Sequence, residues 1–435
     1  MKILHTADWH LGRLLYGRRR YVESEAFLTW LVDTLRQESI DVLIVAGDVF
    51  DTTTPGNRAV EQYFSFLGRL RETPCRHVVV ISGNHDSPTH LDAPAALLRQ
   101  LNVHVIGSAL PDAASEVISL QDRSGQPELI VAAVPFLRDQ DVRGSAAGES
   151  MDDKDRQLVE GIRAHYQRAA NQAVQLQAAC DSPVPIVATG HLFVQGRRTS
   201  SRSATSPVPE REHPEEEDFT GDGVRELYVG SLGQVEPSIF PAEFDYVALG
   251  HLHIPHAVSG AAHIRYSGSP LPMGFSEAAH VKSVAIVEFS GRELASMTTV
   301  PVPVFQQLQR LEGTWGTVQS ELQRLVDGGS SVWVEVICTD EEIIVDLERK
   351  IHAITDDSAV TVLKMMNRRA IAAALSAVTP GEDLAELTPA DVFSRFLAIS
   401  EIPAAQHAAL QRIYDEIVLG IATSDVNAEL TDEAA

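Results

Sequence analysis

The first two thirds of the chain alternate between short apolar runs and amphipathic stretches. Five apolar runs, rich in β-branched residues, predict strands that are buried on both faces. They are Lys2–Thr6, Val42–Ala46, Val78–Ile81, Ile186–Ala188 and Tyr246–Leu249. Apolar residues at helical spacing predict helices over Ala26–Gln37, Asn57–Arg71 and Leu91–Leu101. Strands that alternate with helices are typical of a layered α/β core.

The pattern changes near residue 304, which divides a core over 1–303 from a small α+β unit over 304–372. Strand-like Ser283–Phe289 and Ser296–Val304 close the core. In the small unit, three strands alternate with two helices. The strands are predicted at Val304–Leu311, Ser331–Thr339 and Ala359–Met366, and the helices at Val318–Val326 and Glu341–Ala353.

Two further segments differ in composition from the core. Residues 373–435 are acidic, with helices predicted at Asp391–Ile399 and Ala404–Ile421 and a disordered tail from about Ser424. The two helices either fold back on their own domain or offer an apolar face to a partner helix. Residues 199–223 combine serines, prolines and an acidic run, which predicts a disordered insertion within the core.

Composition indicates a soluble globular protein. The 435 residues are 44% hydrophobic and 22% charged, which suits two or three domains with a sizeable core. The three cysteines form no motif and favour a reducing compartment without disulfides. Met1 leads directly into the first strand, and no run of about 18 apolar residues follows, so we expect a cytoplasmic protein without a membrane span.

Polar residues of a few types stand just past the five apolar runs, where strand ends gather in an α/β core. They are Asp8 and His10, Asp48, the series Asn84, His85 and Asp86, then His191, and finally His251 and His253. Two divalent cations about 3.5–4 Å apart, held by such side chains, would polarise a phosphate ester and generate a bridging hydroxide. Asp48 is the candidate bridging ligand. Histidine, carboxylate and amide ligands without a thiolate favour Mn²⁺ or an Fe-like ion over structural zinc.

The net charge of −25 argues against a simple DNA-binding protein. Two divalent metals would add about four positive charges at the site itself. Six arginines beside the motifs are either possible DNA contacts or solvated loop charges: Arg13, Arg18, Arg19, Arg20, Arg197 and Arg198. We therefore expect the isolated chain to bind DNA weakly and a partner protein to increase the affinity.

The motifs, in their order, resemble the calcineurin-type metallophosphoesterase superfamily. The strings HTADWHLGR, VAGDVFD, SGNHDS, ATGHL, ALGHLH and RYSGSP resemble, within it, the SbcD family of bacterial nuclease subunits. These are related to archaeal and eukaryotic double-strand-break repair nucleases. The resemblance implies a four-layer α-β-β-α core, a capping domain over 304–372 and a C-terminal helical hairpin within 373–435.

The resemblance also assigns roles to the motif residues. One metal would be held by Asp8, His10, Asp48 and His253, and the other by Asp48, Asn84, His191 and His251. His85 would be the histidine that does not bind metal and that acts on the leaving oxygen, with Asp86 orienting it or its loop. Archaeal relatives carry a second histidine three residues after the bridging aspartate. Here that residue is Asp51, so we expect His85 to act alone.

The activity implied by the resemblance is Mn²⁺-dependent cleavage of DNA in an SbcC–SbcD complex that serves repair, recombination and replication at the nucleoid. It comprises a 3′–5′ exonuclease on duplexes and an endonuclease on single strands and hairpins. The C-terminal helices would bind the coiled-coil ATPase SbcC, since this chain has no Walker A pattern. Helices near Asn57–Arg71 and Leu91–Leu101 would form a homodimer within a heterotetramer, unless they pack on the core.

Two alternatives remain open from the sequence. A phosphodiesterase or phosphatase for small esters would use the same metals but would not need the capping unit and helical hairpin. A scaffold could keep the fold without catalysis. Such a degenerate member would normally lack several ligands, and metal occupancy would distinguish it.

Overall fold

The computed structural model describes residues 1–143, 150–194, 235–340 and 346–367, with four isolated positions, 344, 410, 411 and 414. These residues belong to two compact units. The first comprises Met1–Leu15 and Arg19–Phe305, and the second comprises Tyr16–Arg18 and the chain from Gln306 onward. The predicted insertion at 199–223 and both predicted C-terminal helices lie outside the described residues, apart from three isolated positions.

Strands and helices alternate along most of the chain. Up to residue 194 the elements are β1 Lys2–Thr6, β2 Leu14–Leu15, β3 Arg18–Arg19, α1 Tyr21–Gln37, β4 Val42–Ala46, α2 Asn57–Arg69, β5 His77–Ile81, α3 Pro88–Asp92, α4 Ala95–Arg99, β6 Val103–Ile106, β7 Val117–Gln121, β8 Pro127–Ala132, α5 Asp139–Val142, α6 Met151–Ala178 and β9 Ile186–His191. From residue 235 they are β10 Tyr246–Gly250, β11 His256–Val258, β12 Ala261–Tyr266, β13 Ser283–Ser290, β14 Glu293–Pro301, β15 Leu308–Gly313, α7 Trp315–Asp327, β16 Trp333–Cys338, α8 Leu347–Thr355 and β17 Thr361–Asn367.

The first unit contains two six-stranded sheets. The first sheet has the order β14-β13-β1-β4-β5-β6, and the second has the order β11-β12-β10-β9-β8-β7. Strands β1, β4, β5 and β6 are parallel, and β13 pairs antiparallel with β1. In the second sheet, β8, β9, β10 and β12 are parallel. Mixed α/β sheets of this kind agree with the predicted α/β class.

Alternate residues of the strands enter different apolar clusters. Ile44 of β4 packs in one cluster with Val187 and Ala248 of the second sheet. Its neighbour Leu43 packs with Phe27 of α1 and Phe66 of α2. A third cluster joins the second sheet to α6. The strands are therefore apolar on both faces because each face meets a different partner.

The second unit contains a three-stranded parallel sheet in the order β15-β16-β17. Helices α7 and α8 connect the successive strands, and their apolar sides share one cluster with the sheet. Parallel neighbours need such crossovers, because a tight hairpin turn can join only antiparallel strands.

The structure confirms the five predicted strands, and it shows elements that the pattern did not predict. The helix predicted over Leu91–Leu101 is wrong as one element, because Pro94 separates α3 from α4. The long helix α6 was not predicted. Among the described residues, no helix combines the length and apolar character that crossing a bilayer requires.

Candidate metal centre

The predicted ligands converge because they follow the carboxyl ends of parallel strands. Asp8 and His10 follow β1, Asp48 follows β4, and Asn84 follows β5. His191 ends β9, and His251 and His253 follow β10. The backbone N–H of His251 donates to Asp8 Oδ1 at 2.9 Å, so this bond joins the ends of the two sheets.

One group of ligands surrounds Asp8. The ligand atoms of Asp8, His10 and His253 all lie within 4.8 Å of one another. The Nε2 atoms of His10 and His253 are 3.3 Å apart, and His10 Nε2 lies 3.6 Å from Asp48 Oδ2. Three donor atoms therefore point toward one small volume, with Asp48 at its border.

A second group lies on the other side of Asp48. Asn84 Oδ1 is 3.0 Å from His191 Nε2 and 3.0 Å from His251 Nδ1. His191 Nε2 is 3.2 Å from Asp48 Oδ2. The same carboxylate oxygen thus borders both groups, as a bridging ligand must.

These donors fit divalent cations. Asp8 is fully buried, and its Oδ2 has no hydrogen-bond partner among the described residues, which is costly unless a cation compensates it. His191 Nδ1 lies 2.9 Å from the Ala46 carbonyl, so it carries the ring proton and leaves Nε2 as a lone-pair donor. Nitrogen and oxygen donors without sulfur suit first-row divalent ions.

The backbone is strained at four of these side chains. Asp8, His10, Asp48 and His251 have φ values of 55°, 46°, 48° and 99°, in a region that residues with a side chain rarely adopt. Each such residue costs about 1–3 kcal/mol and persists only where its surroundings enforce it. Four of the predicted ligands thus lie in rarely adopted backbone conformations, which is typical of a functional site.

Two glycines are required by close approach. A Cβ on Gly83 would lie 2.0 Å from Asp48 Oδ1, and one on Gly47 would lie 2.3 Å from His191 Nδ1. Gly47 also has a φ of 90°. A side chain at either position would therefore collide with a predicted ligand, so glycine is required at both.

The electrostatics of the buried centre favour added positive charge. Burial alone would raise the pKa of Asp48, but the imidazoles of His191 and His10 hold it well below its ordinary value. Burial works against protonation of His191, yet Asp48 and Asp8 raise its pKa to about 9. Burial raises the pKa of Asp8 and lowers that of His251 to about 3. The two carboxylates thus favour positive charge beside His191 Nε2, either as a proton on that nitrogen or as a bound cation that replaces the proton.

His85 and Asp86 hold the loops around Asp48. His85 Nδ1 lies 2.9 Å from the Asp51 carbonyl, so Nδ1 carries the ring proton. The Asp86 carboxylate accepts from the backbone N–H groups of Gly83, Val49 and Phe50 at 2.9, 3.1 and 2.9 Å. Asp86 thereby ties the loop after β5 to the loop after β4.

Known proteins are similar to this chain over almost its whole length. A family profile described as "Calcineurin-like phosphoesterase" matches residues 1–141. Another, described as "Type 5 capsule protein repressor C-terminal domain", matches residues 304–401. The SbcD component of the SbcCD nuclease of Escherichia coli K12 is 36% identical over 416 residues, or 95% of this chain and 97% of that protein. The chain belongs to the SbcD family.

Two other bacteria carry less similar proteins of the same name. The Rhodobacter capsulatus protein is 35% identical over 70% of each chain, and the Bacillus subtilis protein is 31% identical over 77% of this chain and 78% of that one. A solved structure of a Thermotoga maritima β-glucosidase aligns with 81% of this chain and 78% of that one at a TM-score of 0.18 and 11% identity. This SbcD-family chain is a metal-dependent, phosphodiester-hydrolysing nuclease subunit with a divalent metal centre.

The candidate DNA-contacting arginines occupy different environments. Arg13 pairs with Asp51, Nη1 to Oδ1 at 2.9 Å. Arg20 is 3% exposed, pairs with Glu23 and donates to the Pro272 carbonyl. Its guanidinium is therefore buried in contacts that stabilise the fold, and we no longer propose it as a DNA contact. Arg18 is exposed and lies 5.7 Å from the Trp333 ring within the second unit. Arg19 is half-buried beside Tyr21. Residues 197 and 198 lie outside the described part of the chain.

Sequence reasoning missed two charged residues of the site in this SbcD-family chain. Glu277 Oε1 lies 3.4 Å from His253 Nδ1, and the buried ammonium of Lys282 pairs with the same carboxylate. Both follow the last motif, in a stretch without a recognisable pattern. The only signal was a lysine and a glutamate near an apolar strand, which usually indicates a solvated edge.

Proposed function

We propose that this nuclease subunit cleaves DNA at a centre of two divalent metal ions. The observation that carries the proposal is the position of Asp48, whose Oδ2 borders both ligand groups. One ion would be held by Asp8, His10, Asp48 and His253 and the other by Asp48, Asn84, His191 and His251.

The bound ions would neutralise charge on the phosphate and acidify a water molecule. The chain's own residues then place and move protons. The Asp51 carbonyl holds the Nδ1 proton of His85, so His85 Nε2 can exchange a proton with the leaving oxygen. Asp86 holds the two loops that carry Asp48 and His85 in register. We propose His85 as the single catalytic histidine, since position 51 is an aspartate.

Manganese is the proposed metal. The two ligand groups offer imidazole nitrogen, carboxylate oxygen and an amide oxygen, without a thiolate. Carboxylate and amide oxygens favour Mn²⁺, whereas imidazole nitrogens also bind iron. The ion that occupies the centre therefore also depends on which metal is supplied.

The proposed substrate is DNA, cut as a 3′–5′ exonuclease on duplexes and as an endonuclease on single strands and hairpins, in repair, recombination and replication. The relatives are named as the SbcD component of the SbcCD nuclease, which supports nuclease activity within a two-component enzyme. Phosphate contacts are proposed for Arg13, Arg18, Arg19, Arg197 and Arg198. A chain with a net charge of −25 would need a partner protein that contributes further contacts to DNA.

The proposed partner protein is an SbcC-type coiled-coil ATPase bound through residues 373–435. The complex would contain two copies of this chain. Exposed apolar residues on α2, on α4 and just after α4 support contact between copies, since Phe64 is 38% exposed, Leu97 70% and Leu101 44%. Tyr63 and Leu67 of α2 pack in the core instead.

We propose the finer architecture on the same basis. The clusters on the two faces of each sheet support a four-layer α-β-β-α core over residues 1–303. Residues 304–372 would form the capping domain and 373–435 a helical hairpin with a tail. The expected compartment is the cytoplasm, near the nucleoid.

The test is cleavage of labelled duplex, hairpin and single-stranded DNA with Mn²⁺, with and without the ATPase partner, beside a small chromogenic phosphodiester. Asp48→Ala should abolish DNA cleavage. Asp33→Ala, which alters an exposed carboxylate on α1, should leave it unchanged. Turnover of the small ester alone would favour a phosphodiesterase, and metal binding without any turnover would favour a scaffold.

A further inference from the structure

A carboxylate stands behind each histidine of one proposed metal position. His10 Nδ1 lies 3.1 Å from Asp51 Oδ1, and His253 Nδ1 lies 3.4 Å from Glu277 Oε1. The opposite nitrogens of the two rings, both Nε2, approach each other to 3.3 Å. Each ring therefore directs one nitrogen into the centre and the other toward an anion.

Cations and backbone groups hold both carboxylates in place. Arg13 pairs with Asp51 at 2.9 Å. Glu277 Oε2 accepts from the backbone N–H of Met273 at 2.9 Å and pairs with the Lys282 ammonium. Lys282 is only 5% exposed, and its Nζ also donates to Ser269 Oγ and to the His253 carbonyl, each at 3.0 Å. A buried ammonium is tolerated only when its hydrogen bonds are satisfied, so Lys282 and its partners hold Glu277 in a fixed position.

The second metal position has neutral support. His191 Nδ1 donates to the Ala46 carbonyl at 2.9 Å. Asn84 contributes an amide oxygen where the first position has the Asp8 carboxylate. Asp48 is shared, so it does not distinguish the two positions. Carboxylates thus face both rings of the first position, whereas a neutral carbonyl faces His191, so more negative charge surrounds the first position.

We propose that the position bounded by Asp8, His10, Asp48 and His253 binds its metal more tightly and fills first, and that Glu277 and Asp51 are positioning residues for it. This inference rests on the ligand assignment of the proposed function. A carboxylate that accepts the second ring proton orients a ligand histidine and increases its basicity, and loss of such a partner typically costs 10–100-fold in metal affinity. If Glu277 served only as a counterion for Lys282, its substitution would lower the stability of the fold. It would then affect metal affinity equally at the two positions.

Titration of the metal-free full chain with MnCl₂ tests this, followed by the signal of free Mn²⁺ in electron paramagnetic resonance. The wild-type chain should show a tight and a weak class of site. Asn84→Ala should remove the weak class, and His253→Ala the tight one. Glu277→Gln and Asp51→Asn keep side-chain size but remove the charge. Each should weaken the tight class by about 10–100-fold and move the weak class by less than about threefold.

Glu116→Gln is the matched control, because Glu116 is a fully buried carboxylate that pairs with His165 at 2.8 Å outside the centre. It should leave both classes unchanged. Equal affinities in the wild type, or equal weakening of both classes by Glu277→Gln and Asp51→Asn, would overturn the proposal. Asp51→Asn tests the same claim if Glu277→Gln fails to fold. A wild-type chain that binds no Mn²⁺ would refute the proposed function itself.

Discussion

The backbone N–H of His85 donates to Asp48 Oδ1 at 2.9 Å. The main chain of the proposed catalytic residue therefore holds the side chain of the proposed bridging ligand. The imidazole of His85 plays no part in this bond. Metal binding and proton transfer at His85 should thus be separable by substitution.

His85→Ala should retain both metals and lose cleavage. The backbone N–H stays, so Asp48 keeps its orientation, while removal of a general acid costs about 10²–10⁴-fold in rate. Metal content and the rate of DNA cleavage under single-turnover conditions check this. His352→Ala, at an exposed histidine on α8, should match the wild type. Retained cleavage in His85→Ala would remove the catalytic role.

Gly83→Ala should disrupt the metal centre through a single methyl group. Its Cβ would lie 2.0 Å from Asp48 Oδ1 and 2.4 Å from the Asp48 backbone nitrogen, so the loop must move. Overpacking of this kind costs about 1–3 kcal/mol, and we expect weaker Mn²⁺ binding with it. Calorimetric metal titration and urea unfolding measure both effects.

Gly68→Ala serves as the control for that substitution. Gly68 lies within α2, and apart from its chain neighbours and the nearby backbone of the helix, no atom lies within 4 Å of its added Cβ. The change should leave metal binding intact and stabilise the helix by up to about 1 kcal/mol. Metal affinity that falls equally in both variants would show that the Gly83 contact is not the cause.

Asp86→Ala should lower both stability and activity. The side chain accepts from three buried backbone N–H groups, and each one left unpaired costs about 1–3 kcal/mol. The free energy of unfolding from urea titration should fall by about 3 kcal/mol or more. Asp122→Ala is a control that also removes three hydrogen bonds, but in an exposed turn, so its loss should be much smaller. Similar losses would mean that burial of the Asp86 donors does not matter.

His5 should make the protein sensitive to mild acid. It is fully buried on β1, with Nδ1 3.0 Å from the Tyr246 hydroxyl. Burial lowers its pKa to about 3, with Arg265 adding to the effect and a Leu249 backbone contact opposing it. The unfolded chain therefore binds this proton first, near its ordinary pKa of about 6.5, and stability falls as pH drops from there toward about 3.

One such histidine changes the free energy of unfolding by at most about 1.4 kcal/mol per pH unit. Comparison of wild type with His5→Phe by urea unfolding at several pH values isolates it. The difference in unfolding free energy should be constant above pH of about 7 and change between pH of about 6.5 and 3. A difference that does not vary with pH in that window would contradict the buried neutral state of His5.

Local sequence predicted most of the strands and the proposed ligands, which the structure brings together. Each predicted ligand directly follows a run that is apolar on both faces, and both signals lie within a few residues of each other. The helix α6, with its predominantly polar composition, escaped prediction. The later part of its buried face consists of the small residues Ala169, Ala170 and Ala173, which give little contrast between core and surface. Leu158, Ile162 and Tyr166 do stand at helical spacing in its earlier part, but among many polar residues.

Only the tertiary structure decided which side chains support the ligands. Glu277 and Lys282 meet His253 across a loop, and Asp51 meets His10 from the next strand along the sheet. No spacing rule encodes such contacts, because they depend on how two loops fold against each other. Burial of Arg20 was likewise decided in three dimensions, since an arginine run looks the same in solvent and beneath a loop. The sequence alone thus determined which side chains are available near the strand ends, because they lie next to the apolar runs. Packing determined which charged groups orient and surround them.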